Sequence, residues 1–232
     1  IDFDKTLNRI RETHELETFD ENNEKIFNNI AIDSRNTIVI ISGRSRDFIY
    51  NHFRNYNAIL VAEHGYFVKY PGYEWISEIE INLSWKEKIL PVLNDYVNRC
   101  TGSMIEDKYA SLVWHYDNAD EEIALLRINE LKDDLTEILK NEPKLHVLDG
   151  DKLLEIKSIL YDKGTIASRI IEKKNYDFIF AIGDDSTDED LFKVIPEAGF
   201  TIKIGSEPSN ARFNLKNRSQ IVEGLSLFNN SK

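Results

Sequence analysis

Phe178-Ile-Phe-Ala-Ile-Gly-Asp-Asp-Ser-Thr-Asp-Glu-Asp190 decides how this chain is to be read. Five apolar residues, Phe178 to Ile182, run unbroken into Gly183 and then into a cluster of carboxylates. A run that is apolar at every position suits a strand buried on both faces, as in a parallel sheet covered by helices. Thr187, followed three residues later by Asp190, reads as a capping box that opens the next helix. Asp184 and Asp185 are therefore expected at the carboxyl end of a central strand, the edge where open α/β sheets bind ligands. A helix dipole accounts for Asp188, Glu189 and Asp190. It does not account for two adjacent acids ending a buried strand. They need a counter-charge, and Mg²⁺ is the first candidate.

The same pattern recurs upstream. Thr37-Ile-Val-Ile-Ile-Ser-Gly-Arg44 and Ala58-Ile-Leu-Val-Ala-Glu-His-Gly65 are further apolar runs that end in a polar residue and a glycine. Ser45 is placed to cap a helix running through about Phe53. Ile1-Asp-Phe-Asp-Lys-Thr-Leu7 looks like the end of a fourth strand, so Asp2, Ser42, Glu63 and Asp184 are expected along one edge of one sheet. Only Ile1 precedes Asp2, and a central strand that short would leave backbone groups unpaired. More chain before Ile1 is therefore expected in the full protein. The polar segment that follows is helix-prone, with Phe19, Ile26, Phe27 and Ile30 as anchors.

The middle of the chain has a different order. Tyr66 to Trp75 reads as a hairpin turning at Pro71-Gly72. Helical spacing over Trp85–Arg99, two short strands within Ser103–Tyr116, a helix over Glu121–Leu139 and a hairpin around Asp149-Gly150 then make an α+β sequence of elements. The second of those helices carries an apolar stripe of Ile123, Leu126, Leu131, Leu135, Ile138 and Leu139. Lys163-Gly164 opens another helix and returns the chain to strand–helix alternation, with Thr201–Gly205 as one more strand. The expected division is a core from 1–76 and 161–232 with an insert from 77–160.

Composition narrows the function class. A net charge of −12 argues against nucleic acid or an anionic membrane surface as the main partner. Cys100 is the single cysteine, which excludes an internal disulfide and fits a reducing, cytoplasmic setting. No apolar run approaches the roughly 20 residues that span a bilayer. With 232 residues, 41% of them hydrophobic, there is material for one sizeable core or two small ones.

Asp2, Asp4, Thr6, Ser42, Lys163, Asp184, Asp185 and Asp188 are the residues that converge. Carboxylates, one lysine and small hydroxyls suit phosphoryl transfer to an aspartate. The carboxylate cannot approach a phosphate dianion unless charge is offset, hence a divalent cation on one side and a lysine on the other. A second acid two residues along can protonate the leaving alkoxide and then deprotonate water.

These residues resemble, in order, the four motifs of the haloacid dehalogenase superfamily of phosphatases. That resemblance implies a Rossmann-like parallel-sheet core with an inserted α+β cap. Finer matches resemble the trehalose-6-phosphate phosphatases: Ser42-Gly-Arg44, Glu63-His-Gly65, Glu106-x-Lys108-x-x-Ser111, His115-Tyr116, Glu155, Asp162-Lys-Gly164 and Gly183-Asp-Asp-x-Thr-Asp-Glu189. The resemblance implies Asp2 as nucleophile and Asp4 as general acid and base. It implies Mg²⁺ held by Asp2, Asp184 and the Asp4 carbonyl, and phosphoryl oxygens gripped by Thr6, Ser42 and Lys163. Asp185 and Asp188 would orient metal-bound water and Lys163. Glu106, Lys108, Ser111 and Glu155 would bind the sugar, with Arg44, Glu63 and His64 near the substrate.

Two positions depart from the family pattern: Lys5, where glycine is usual, and Asp117 after Tyr116, where a basic residue is more common. Glu106 and Lys108 alternate along an expected strand and could instead be a solvated face, and His115 reads as structural. Sucrose phosphate and mannosyl-phosphoglycerate are alternative substrates for the same chemistry. A catalytically idle domain of a trehalose-synthesis assembly is an alternative of another kind, opposed by the intact Asp2, Asp4, Lys163 and Asp184. A receiver domain has its acids and lysine in a different order. A calcium loop lacks the glycine it needs at its sixth position. Fusion to, or association with, a trehalose-phosphate synthase is the partner the resemblance implies.

Overall fold

The computed structural model describes residues 1, 2, 4, 6, 21–77, 79–217 and 219–228. Phe19 and Lys5 lie outside the described residues. Two compact units emerge, Ile1–Glu78 with Tyr161–Lys232, and Ile79–Leu160.

The first unit begins with α1 (Glu21–Ile32), whose Phe27 is buried. β1 (Ile38–Ile41) and β2 (Ala58–Ala62) pair in parallel, joined through α2 (Arg46–Phe53). Ser45 caps α2 by accepting from the Phe48 N–H. β3 (Phe67–Lys69) pairs antiparallel with β2 and β4 (Trp75–Ile76) antiparallel with β3, so the parallel core carries an antiparallel margin.

The second unit is built from α3 (Trp85–Arg99), β5 (Met104–Asp107), β6 (Ser111–His115), α4 (Glu121–Leu139), β7 (Leu145–Gly150) and β8 (Leu153–Ser158). The chain then returns to the first unit through α5 (Lys163–Glu172), β9 (Phe180–Gly183), α6 (Asp188–Val194), β10 (Phe200–Ile204), β11 (Phe213–Leu215) and α7 (Ser219–Phe228). β9, β10 and β11 pair in parallel, in the order β11-β10-β9.

Residues 1 and 2 join the two sheets of the first unit. The Ile41 N–H donates to the Ile1 carbonyl (3.0 Å) on one side, and the Asp2 N–H donates to the Ile182 carbonyl (2.9 Å) on the other. Asp2 thus lies between β1 and β9, at the carboxyl ends of both. Ile41, Ile59 and Val61 pack with Ile166 and Ile170 of α5 and with Leu191 and Phe192 of α6. By strand alternation Ile40 and Leu60 point to the opposite face.

In the second unit all pairings are antiparallel, in the order β5-β6-β8-β7. α3 and α4 cover one face, closing a core of Trp85, Ile89, Leu93, Leu131 and Leu135 over Leu112, Trp114, Leu154 and Ile156. The period of two sends Glu106, Ser111, His115 and Glu155 to the other face.

Three expectations change. On α4 the buried stripe is Ala124, Ile128, Leu131 and Leu135, while Ile123 and Leu126 are 46% and 55% exposed. Counting back from Leu131 by three and seven reaches Ile128 and Ala124, the face the helical period selects. β9 starts at Phe180, and Phe178 is 49% exposed, its ring centre 5.2 Å from that of Phe200 at a tilt of 34° instead of entering the core. Thr187 occupies the N-cap position of α6 without a side-chain cap bond. Asp185 does the capping: its Oδ1 accepts from the Thr187 N–H (2.8 Å) and the Asp188 N–H (3.1 Å).

Candidate active site

The strand ends of the first unit bring together Asp2, Asp4, Thr6, Ser42, Arg44, Lys163, Asp184, Asp185 and Asp188. Lys163, at the first position of α5, is 1% exposed. Asp162 caps that helix by accepting from the Thr165 N–H, which fixes where the lysine side chain starts. The Lys163 ammonium donates to Asp2 Oδ1 at 2.7 Å and Asp188 Oδ1 at 2.9 Å, with Asp185 Oδ1 at 3.7 Å.

Asp188 is fully buried and ties the site together. Its second oxygen accepts from the backbone N–H groups of Asp184 (2.9 Å) and Asp185 (3.1 Å), holding the acidic loop against Lys163. Gly183 is what admits it, because a Cβ there would lie 2.1 Å from the Asp188 carboxyl carbon. Thr6 donates its hydroxyl to Asp184 Oδ1 at 2.9 Å.

Three carboxylates around one ammonium, with Asp184 beside them, leave an excess of negative charge. Burial, and then the neighbouring Asp188, push the Asp2 carboxyl well above its usual range. Burial likewise raises Asp188, to about 6 against the pull of Lys163. Burial also works to raise Asp185, but the Lys163 charge and the Thr187 hydroxyl outweigh it and hold that carboxyl well below the usual range. Lys163 loses from burial and gains more from Asp185, Asp188 and Asp2, so it stays charged.

Asp4 faces a different partner. Arg44 donates Nε to its Oδ1 at 3.0 Å and to its Oδ2 at 3.2 Å, and Nη2 lies 2.9 Å from Oδ1 as an ion pair. The Ser42 hydroxyl donates to Asp4 Oδ2 at 3.2 Å. The Asp4 carbonyl accepts from the Thr6 N–H at 2.6 Å.

Glu63 and His64, buried at the end of β2, both have left-handed backbones (φ 49° and 56°), an uncommon state for residues other than glycine. Their N–H groups donate to the Arg44 and Ser42 carbonyls, each at 3.0 Å, which locks this turn to the Ser42–Arg44 loop. Gly43 lets the His64 ring lie against that loop, since a Cβ there would come within 2.5 Å of the imidazole.

The second unit carries its own polar cluster. Ser111 donates to Glu155 Oε1 at 2.6 Å and Lys108 to the same oxygen at 3.3 Å, with Ser111 and Glu155 buried. Glu106 pairs with His115 Nε2 at 3.0 Å. Burial opposes ionisation of Glu106, but the His115 bond and the Lys108 charge keep its carboxyl below the usual value.

Sequence reasoning missed a brace behind the acidic loop. Lys203 of β10 donates to the Asp185 carbonyl at 2.9 Å and lies 3.6 Å from Glu189. Glu189 in turn accepts from the Ser209 hydroxyl (2.7 Å) and the Asn210 N–H (2.6 Å). A lysine inside the apolar strand Thr201-Ile-Lys-Ile204 was the available signal.

Among the described residues, Asp2, Asp184 and Asp188 form a group whose carboxylate oxygens lie within 4.8 Å of one another, close enough to hold a metal ion together. Also among the described residues, no helix is long and apolar enough to cross a membrane.

The trehalose-phosphatase family model matches residues 1–219. The bifunctional trehalose-6-phosphate synthase/phosphatase of Thermoproteus tenax is 37% identical over 189 residues, covering 82% of this chain and 26% of that protein. The trehalose-phosphatase of Schizosaccharomyces pombe is 33% identical over 192 residues, covering 77% of this chain and 24% of that one. The chain thus spans about a quarter of the length of these relatives. The solved C-terminal domain of the C. albicans trehalose-6-phosphate phosphatase superimposes with a TM-score of 0.89 at 27% identity, covering 99% of this chain and 90% of that one. A family match over nearly the whole length and a shared fold lead to one assignment: this chain belongs to the trehalose-phosphatase family.

Proposed function

We propose that this chain hydrolyses trehalose 6-phosphate to trehalose and phosphate through an aspartyl-phosphate on Asp2. The observation that carries the reading is the pairing of Asp2 with a buried Lys163, 2.7 Å away, while a second carboxyl, Asp4, stands two residues along on other partners. Asp2 attacks phosphorus through a carboxylate oxygen, and the bond from phosphorus to the sugar oxygen breaks with its electron pair on that oxygen. Asp4 gives its proton to the departing oxygen. As a carboxylate it then takes a proton from water, whose oxygen attacks the acyl phosphate and releases inorganic phosphate and the Asp2 carboxylate. Lys163, Thr6 and Ser42 hold the phosphoryl oxygens. Glu106, Lys108, Ser111 and Glu155 contact the sugar hydroxyls, with Arg44, Glu63 and His64 near the substrate.

The donor set fits a hard divalent cation, since every candidate ligand is oxygen. Asp188 uses both of its oxygens on Lys163 and the loop N–H groups, so Asp2 and Asp184 are the stronger ligands, joined by the Asp4 carbonyl. Mg²⁺ bound there supplies positive charge that offsets the phosphate dianion. Asp188 and Asp185 hold Lys163 and would steady the surroundings of such an ion.

The reading places residues 77–160 as a cap that selects the substrate, and 1–76 with 161–232 as the catalytic core. It extends to a cytoplasmic setting and to a trehalose-phosphate synthase, fused or associated, because the Thermoproteus tenax relative is named as bifunctional and the match covers only 26% of it. Phosphate release from a panel of sugar phosphates, with and without Mg²⁺, tests the reading. Trehalose 6-phosphate is expected to be the best substrate, and Asp2→Asn to bind it without turnover. Steady-state turnover by Asp2→Asn, or preference for sucrose phosphate or mannosyl-phosphoglycerate, would refute the mechanism or the substrate respectively.

A further inference from the structure

Asp4 is held unevenly. Its Oδ1 accepts from Arg44 Nε at 3.0 Å and lies 2.9 Å from Nη2 as an ion pair. Its Oδ2 accepts two longer bonds, each at 3.2 Å, one from Arg44 Nε and one from the Ser42 hydroxyl. The arginine is itself fixed on several sides. Its guanidinium carbon stands 5.0 Å from the centre of the Phe48 ring in the first turn of α2. Its N–H donates to Ser42 Oγ at 3.0 Å, and its carbonyl accepts from the Glu63 N–H at 3.0 Å. The strained turn after β2 therefore sets the position of a side chain that touches the acid.

A guanidinium fork holds a carboxyl group in one plane, which a flexible ammonium cannot do. If Ser42 turns its hydroxyl to a phosphoryl group, Asp4 Oδ1 keeps its two close guanidinium nitrogens and Oδ2 is left with only the longer Nε bond at 3.2 Å. We infer that Arg44 is a positioning residue for Asp4: it anchors Oδ1 so that Oδ2 is presented to the leaving oxygen as the proton-carrying atom. This inference rests on the phosphatase reading, in which Asp4 protonates the departing alkoxide. It separates Arg44 from the sugar-contacting residues, because its effect passes through Asp4 and does not require the sugar.

Misplacing a proton donor penalises poor leaving groups most. A nitrophenolate departs without a proton, an unsubstituted phenolate needs one more, and a sugar alkoxide needs one most. The test is kcat/KM on nitrophenyl phosphate, phenyl phosphate and trehalose 6-phosphate for the full-length wild type, Arg44→Met and Arg44→Lys, with Mg²⁺ present. Arg44→Met is expected to lose on the order of 100-fold on trehalose 6-phosphate, clearly less on phenyl phosphate and little on nitrophenyl phosphate. A cooperative melt and a circular dichroism spectrum matching the wild type show that the variant is folded. Arg44→Lys should recover only part of the loss, since one ammonium cannot reproduce the fork. An equal loss on all three substrates, or full recovery with lysine, would overturn the inference. So would a loss confined to trehalose 6-phosphate with the two aryl phosphates unchanged relative to each other, which would make Arg44 a sugar contact. A wild type that hydrolyses none of the three would overturn the phosphatase reading and this inference with it.

Discussion

Removing the charge of Lys163 tests the buried ion cluster directly. Lys163→Met keeps the length of the side chain and strands Asp2 and Asp188, whose oxygens lie 2.7 and 2.9 Å from the ammonium. Deleting one partner of a buried ion pair costs about 3–5 kcal/mol. One ammonium serves several carboxylates here, so the upper half of that range is expected. A chain of this size loses about 2–4 °C of unfolding midpoint per kcal/mol, so the fall should be roughly 8–20 °C.

The loss also has a pH signature. Burial raises Asp2 and Asp188 in the folded protein, Asp188 to about 6. A carboxyl whose pKa rises on folding favours the folded state below its unfolded value and loses that contribution as pH climbs through the folded value. Without Lys163 both are pushed further up, so the variant should suffer most above about pH 7 and least near about pH 4. Adding Asp188→Asn removes one stranded charge and should return about 1–3 kcal/mol relative to additivity. The assay is urea unfolding with chelator present, at acidic and at alkaline pH. A loss below about 1 kcal/mol, a loss independent of pH, or additive behaviour of the double variant would refute the charge argument.

Mg²⁺ should raise the melting midpoint of the wild type, by the equivalent of about 2.7 kcal/mol at 100 times Kd. Asp184→Asn should abolish most of that rise, and equal shifts in both proteins would remove Asp184 from the ligand set. Gly183→Ala forces its Cβ into the Asp188 carboxyl and should destabilise by about 1–3 kcal/mol or more; a melt unchanged from wild type would show that the loop can relax around it. Glu155→Ala removes the acceptor shared by Ser111 and Lys108 and should lower kcat/KM on trehalose 6-phosphate far more than on nitrophenyl phosphate. Equal losses on the two would assign that cluster a structural role.

Local pattern was enough for most elements. α3, α4 and β2 lie where apolar runs and their spacing place them, because neighbours in sequence set those features. β7 and β8 form the expected hairpin, but it turns at Asp151-Lys152, while Asp149 and Gly150 pair with Leu154 and Leu153 in the ladder. The types of residue suited to the chemistry were also legible, since strand-end glycines and acids announce themselves in order along the chain. What joins them was not. Asp185 rather than Thr187 caps α6, because the choice depends on how the loop after β9 folds back on the helix. Phe178 stays outside the core because β9 begins only where β10 is present to pair with it. The clasp of Arg44 on Asp4, separated by 40 residues, exists only once β1 has been laid beside the first two residues. Sequence by itself determined the elements and the chemical groups, through periodicity and residue type. Tertiary structure alone decided which oxygen faces which donor, because bonds between distant residues depend on how the strands are registered and on the space that Gly43 and Gly183 leave open.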